Sequence, residues 1–243
     1  LPLAIHVLCE MFFDSNFAES DVISERGVIL DEIDMYEDTP EDVAGERLVS
    51  GCFPGALGRP VLGRAASLNK QTGEGLRAFK DAHYAPERIV VAVSGSFADE
   101  DIARLAERFG AMPASAAPRF AKCAYAPHFT LRKKATEQNQ LVLGFPGPCI
   151  NGDDRFAMQL FSGILGGNAS SRLLQSLREK NGLCYSIYTY TAPFEDTGLF
   201  AVAAATGKEA EDKALRLISE ELRRIRDEGV TAEEFDRSRR QII

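Results

Sequence analysis

Leu183-Cys184-Tyr185-Ser186-Ile187-Tyr188-Thr189-Tyr190-Thr191-Ala192-Pro193-Phe194-Glu195-Asp196-Thr197-Gly198-Leu199-Phe200-Ala201-Val202-Ala203-Ala204-Ala205-Thr206 decides the fold class. It reads as two consecutive strands, 183–192 and 198–206, joined by a short Pro-Phe-Glu-Asp connection. Strands this close in sequence pair as an antiparallel hairpin, since parallel neighbours need a long crossover. A hairpin among helical segments predicts an α+β architecture: a mostly antiparallel sheet with helices on one face, rather than a doubly wound fold.

Upstream of the hairpin lie strands near 128–134 and 138–146, a helix from Asp153 to Leu165, a Gly-Gly-Asn turn and a helix from Ser170 to Glu179. Downstream, a long helix from Lys208 to Glu228 ends at Gly229, which suits a C-cap. Thr231-Ala232-Glu233-Glu234 is a capping box that opens a last helix. Residues 111–127 are poor in charge and rich in Pro, Ala and Ser, the strongest boundary in the chain. The expected organisation is a first domain over 1–113, a linker over 114–127 and a second domain over 128–243.

Within the first domain, residues 1–13 and 17–38 read as helices, and the second stops before Pro40 because the residue preceding proline resists helical geometry. A helix from Pro40 to about Phe53, a Gly/Pro-rich bend at 54–60 and a helix from Thr72, its N-cap, to Tyr84 follow. Ile89 to Gly95 is β-branched and continuous, predicting a buried strand, and Asp99 to Phe109 a helix. Both termini interrupt helical patterns, so the chain is expected to be a fragment with both domains truncated.

The net charge of −8 argues against nucleic acid or an anionic membrane as the main partner. Eight acidic residues and no basic one lie between Asp31 and Glu46, which is either a solvated helix end or an acidic rim. Five scattered cysteines, Cys9, Cys52, Cys123, Cys149 and Cys184, form neither a disulfide framework nor a zinc-ribbon spacing. With no visible targeting segment, this points to the cytoplasm. No apolar run approaches a membrane span.

Local spacing builds no metal site from His6, His83 and His128, none of which has another histidine at i+3 or i+4. The glycines of Gly163-Ile164-Leu165-Gly166-Gly167-Asn168 follow a helix rather than a strand, so a helix cap explains them better than a phosphate loop. Two features carry more. Glu25 and Glu32 stand seven residues apart on a helix, hence on one face, beside the apolar row Val22, Ile29, Ile33 and Tyr36. At the edge of a buried surface their carboxylates need a partner: a metal, an arginine or a helix end. Arg178 ends a helix and Tyr185 lies in the strand after a glycine turn. Together they can donate hydrogen bonds to a carbonyl or an oxyanion.

Several stretches together resemble one family. Ser24–Met35, Gly58-Arg59-Pro60-Val61-Leu62-Gly63, Phe79–Arg88, and Ser170-Ser171-Arg172-Leu173 through Tyr188 are similar to the pitrilysin/insulinase zinc metallopeptidases, the inverzincins, in the family's order. The resemblance is to the branch of mitochondrial processing peptidase and its bacterial relatives. It implies two related domains of the processing-peptidase type. Zinc would be held by the two histidines of H-x-x-E-H and a later glutamate. By resemblance Glu32 is that third ligand, Glu25 supports it from behind, and Arg178 and Tyr185 hold substrate backbone.

Only 31 residues precede Glu32, so H-x-x-E-H would lie before Leu1. The resemblance therefore implies a parent zinc endopeptidase acting on peptides or small unfolded polypeptides in a closed chamber. This chain alone would be inactive and would lack zinc of native affinity. Carrying Glu32 and the Arg–Tyr pair in one chain suggests a homodimer, or a heterodimer with a related subunit. The alternatives are a non-catalytic recognition or core subunit of the same family, and an α+β interaction module with an acidic face.

Overall fold

The computed structural model describes residues 1–114 and 121–242. The expected linker at 114–127 therefore lies partly outside the described residues. Two compact units emerge, and they are not contiguous in sequence: Leu1–Ile33 with Leu62–Ala121, and Asp34–Val61 with Lys122–Ile243.

In the first unit, α1 (Pro2–Phe13) buries Ile5 and Cys9, and its C-terminal end joins an aromatic cluster. Phe12 and Phe13 lie 5.3 and 5.0 Å from Phe109 of α6 (Asp99–Gly110), and Phe12 lies 5.7 Å from Tyr84. Arg108 covers the Phe13 ring at 4.9 Å and pairs with Asp14 at 3.2 Å. The second helix, α2 (Glu19–Glu37), begins in this unit, and the division between units falls within it after Ile33. Its Glu19 carboxylate accepts from the Gly73 amide at 3.0 Å, at the start of α5 (Gly73–His83). After the single turn α4 (Ala65–Leu68), Thr72 caps α5 as expected, its hydroxyl accepting from Gly75 N at 3.1 Å.

One element of this unit differs from expectation. Ile89–Gly95 joins no ladder: Ile89 is extended, the stretch bends at Gly95, and Val90 is 91% exposed. Among the described residues the unit contains no other strand with which it pairs. β-branched composition favours extended backbone, but a strand needs a neighbour to become part of a sheet.

The second unit holds a sheet of three antiparallel strands in the order β1 (Asn139–Pro146), β3 (Gly198–Thr206), β2 (Cys184–Pro193). The predicted hairpin is β2–β3, with Tyr190 opposite Ala201 and Pro193 opposite Gly198. β3 is buried along its whole length because both faces of the sheet are covered. On one face Phe200, Val202 and Ala204 meet Leu165 of α7 (Arg155–Gly166) and Ala214 and Ile218 of α8 (Glu211–Glu228). On the other, Leu199 and Ala201 meet Cys52 and Phe53 at the end of α3 (Pro40–Cys52). The α+β class is thus the observed one, and a helix from the first half of the sequence supplies the second cover.

Residues 128–134, expected as a strand, make no ladder either; Phe129 and Leu131 are 85% and 72% exposed. Side-chain ties hold the stretch instead. Arg132 pairs with Glu37 at 2.6 Å, and the Lys134 ammonium donates to the Glu37 carbonyl at 2.6 Å and meets Asp38 at 3.2 Å. Gly229, with φ of 77°, ends α8 in the left-handed region where glycine has no steric penalty. The capping box before α9 (Ala232–Ile242) closes with Glu234 N donating to Thr231 Oγ1 at 3.2 Å and Thr231 N to Glu234 Oε2 at 2.8 Å. No described helix is long and apolar enough to cross a membrane.

Candidate substrate-binding site

Arg178 and Tyr185 are brought together by three local irregularities in succession. The first is the helix expected from Ser170. It forms a wide π-type turn over Leu174–Glu179, in which Lys180 N donates to Gln175 O, five residues back, at 3.1 Å. Such turns occur as single insertions into helices and often mark functional places. The second is the reversal that follows. Gly182 adopts a φ of 61°, Asn181 Nδ2 donates to Ser176 O at 2.8 Å, and Leu183 N donates to Leu177 O at 3.0 Å.

The third irregularity is a β-bulge. Cys184 faces Thr206 and Ser186 faces Ala205, so Tyr185 is the extra residue with no opposite number. Side chains alternate along a regular strand, which would put Cys184 and Ile187 on opposite faces. The bulge restores both to the same core, where they are 8% and 3% exposed, and turns Tyr185 out to 73% exposure.

The Arg178 guanidinium carbon sits 5.7 Å from the centre of the Tyr185 ring, within cation–π range. Its ion pair with Glu179 is long, 3.9 Å, and both partners are about half exposed. The cation and the phenol therefore form an open ledge with several hydrogen-bond donors. Beneath it, burial pushes the Cys184 thiol up in pKa while the Arg178 charge draws it the other way. This keeps the thiol protonated and unsuited to nucleophilic work.

Glu25 and Glu32 lie on α2 in the first unit. Val22 of the neighbouring apolar row is buried, and Ile29, Ile33 and Tyr36 are half-buried. Both glutamates are themselves exposed, contrary to a seat at the edge of a buried surface, and neither has a hydrogen-bond or ion-pair partner among the described residues. His6 approaches Glu10 at 3.5 Å and His83 stacks on Phe79 at 4.0 Å. A protein zinc site takes three or four nitrogen, sulfur or oxygen ligands. Among the described residues no three His, Cys, Asp or Glu side chains converge, so these residues alone do not fit zinc.

Sequence reasoning missed the support of the wide turn. Arg172 donates from Nε and Nη2 to Glu234 at 2.7 and 2.8 Å and from Nη2 to Gly229 O at 3.0 Å. The two side chains are 14% and 16% exposed. Paired with Arg172, Glu234 is held well below the usual carboxylate range, at about 2. The available signal was a lone arginine just before the apolar pair Leu173 and Leu174. On the other face of the sheet Tyr188 donates to Glu41 at 2.6 Å, and burial together with that bond raises its pKa.

Residues 71–242 match the family described as "Peptidase M16 inactive domain". An uncharacterized zinc protease of Streptomyces coelicolor is 39% identical over 249 residues, covering 98% of this chain and 54% of that protein. The uncharacterized zinc protease YmxG of Bacillus subtilis is 34% identical over 241 residues, covering 98% and 59%. The chain thus spans 54% and 59% of the length of these two curated relatives. A peptidase M16 inactive domain from Pseudomonas fluorescens has the same fold, with a TM-score of 0.87 at 24% identity over 98% of this chain and 59% of that one. A chain of complex III2 from Candida albicans shares it at a TM-score of 0.78 and 20% identity, over 90% and 55%. The wide turn, the bulge and the hairpin all fall inside the matched region, and the chain belongs to the peptidase M16 family.

Proposed function

We propose that this chain is part of a zinc-dependent endopeptidase of the M16 family, in which Arg178 and Tyr185 hold the backbone of an extended peptide. The carrying observation is the open ledge: a guanidinium 5.7 Å from the centre of a phenol ring, the first about half exposed and the second more, on a β-bulge next to a π-type turn. A guanidinium presents its N–H donors in a fixed fork, and a phenol adds one O–H. Two successive peptide carbonyls are the matching acceptors. The substrates are peptides or small unfolded polypeptides entering a closed chamber. Glu32 contributes one zinc ligand and Glu25 supports it, the remaining ligands lying outside this sequence. The active species is a homodimer, or a heterodimer with a related subunit.

The test uses the full-length protein and a quenched fluorescent peptide. Arg178→Ala removes charge-assisted hydrogen bonds worth about 1.5–3 kcal/mol, so kcat/KM is expected to fall roughly 10- to 100-fold. Tyr185→Phe should cost about tenfold or less, the size of one neutral hydrogen bond. Unchanged turnover in Arg178→Ala would sink this reading. For the metal, Glu32→Gln should empty the full-length protein of zinc on dialysis. Glu25→Gln should only weaken binding, by about 10- to 100-fold. Equal losses from the two would contradict their unequal roles.

A second reading has one observation in its favour, the fold shared with a chain of complex III2. In it the protein is a non-catalytic recognition or core subunit of the family. Full-length protein without H-x-x-E-H and without turnover would decide for it.

A further inference from the structure

The geometry points to Arg172 as a positioning residue: its clamp on Glu234 and Gly229 holds the wide turn Leu174–Glu179 open and thereby keeps Arg178 over Tyr185. As a deepening of the proposed function, this rests on the reading of Arg178 and Tyr185 as the peptide-holding pair.

The turn is pinned at both ends. At its start Arg172 makes three hydrogen bonds, of 2.7, 2.8 and 3.0 Å, to α9 and to the Gly229 carbonyl that precedes it. Leu173, next to it, is fully buried. At its end Leu177 is also fully buried, and Leu183 N is bonded to Leu177 O before β2 begins. Gln175 N still bonds Ser171 O in α fashion, and beyond it the segment carries one residue more than an α-helical path accommodates, a surplus that the Lys180–Gln175 bond records. A π-type turn has poorer geometry than an α-turn and persists where its surroundings impose it.

Without the clamp, the N-terminal pin keeps the burial of Leu173 and the bonds of Gln175 to Ser171 O and Ala169 O, but loses its tie to α9 and to the Gly229 carbonyl. The segment can then slide into α geometry. One residue's worth of rotation is about 100°, enough to swing Arg178 away from the Tyr185 ring. Guanidinium geometry matters here, since a bidentate fork fixes direction where an ammonium fixes only charge.

The experiment is NMR on the labelled full-length protein, in wild type and in Arg172→Met, Arg172→Lys and Glu234→Gln. In wild type, the Arg178 side chain should show contacts to the Tyr185 ring, and Gln175 Hα should show a contact to the Lys180 amide. In Arg172→Met both should be lost and replaced by a Gln175–Glu179 contact. Cross-strand contacts such as Ile187–Ala204 should remain, which shows the sheet folded. Arg172→Lys should recover part of the Arg178–Tyr185 contact. If the methionine variant does not fold, Glu234→Gln, which keeps an acceptor for Thr231, carries the measurement. Wild-type contacts in a folded Arg172→Met or Glu234→Gln chain would overturn the inference. As a control for mild general destabilisation, Phe53→Leu on the opposite face of the sheet should leave both contacts in place.

Peptide affinity, measured in parallel, separates the two proposals. Loss of the ring contact with about tenfold weaker binding supports both. Loss of the contact while Arg178→Ala itself leaves peptide affinity unchanged keeps the clamp and removes the peptide-holding role.

Discussion

Phe53→Ala is expected to destabilise the second unit by about 3–5 kcal/mol, the usual cost of deleting a buried aromatic ring and leaving a cavity. Phe53 is fully buried. It stands edge-on to Phe194 at 5.4 Å and to Tyr125 at 6.1 Å, against Leu199 and Ala201 of β3. A loss of this size is a large part of the stability of an ordinary domain. The measurement is amide exchange along β3 together with a urea transition. Protection of Leu199, Ala201 and Ala203 should drop with Phe53→Ala. It should not drop with Phe12→Ala, whose ring belongs to the aromatic cluster of the first unit. The reverse pattern would mean that residues 34–61 do not belong with the sheet.

Glu234→Ala is expected to cost about 3 kcal/mol and to change the response to acid. The variant leaves the Arg172 guanidinium without its carboxylate in a place where it is only 14% exposed, and an uncompensated buried charge is expensive. It also removes the acceptor for Thr231 N. The acid dependence follows from the depressed folded-state pKa of Glu234, about 2, against about 4.3 in an unfolded chain. Such a group contributes its full stabilisation above the unfolded value and loses it as pH falls through that value towards about 2. Wild-type stability should therefore decline between about pH 4 and pH 2, and Glu234→Ala should lose less over that interval. Parallel acid profiles would show that the pair contributes nothing there.

Local structure was largely legible in the sequence, because caps and hairpins depend on neighbours along the chain. Thr72 before α5, Gly229 after α8 and the box from Thr231 to Glu234 stand where their chemistry requires. The β2–β3 pairing follows from the short connection between two strand-like runs. The strands expected at 89–95 and 128–134 failed for a shared reason: β-branched or apolar composition specifies extension, whereas a ladder is a property of two segments. Ahead of the helix expected from Ser170, the Asn168 side-chain oxygen accepts from Ser170 N at 2.8 Å and shapes the turn that leads into it.

Of the candidate site, residue types were readable and their directions were not. The sequence by itself determined the α+β class, the hairpin, one face of α2 shared by Glu25 and Glu32, and Arg178 and Tyr185 as candidates. Only the tertiary structure decided that α3 covers the second face of the sheet. The same holds for the wide turn and the bulge that set Arg178 over Tyr185, and for the pairing of Arg172 with Glu234, 62 residues away. The α3 cover and the Arg172–Glu234 pair are contacts between segments distant in sequence, whereas the wide turn and the bulge are local irregularities that the surrounding packing selects. A one-residue surplus in a helix or a strand is absorbed wherever packing on both sides leaves room for it, which no local pattern specifies.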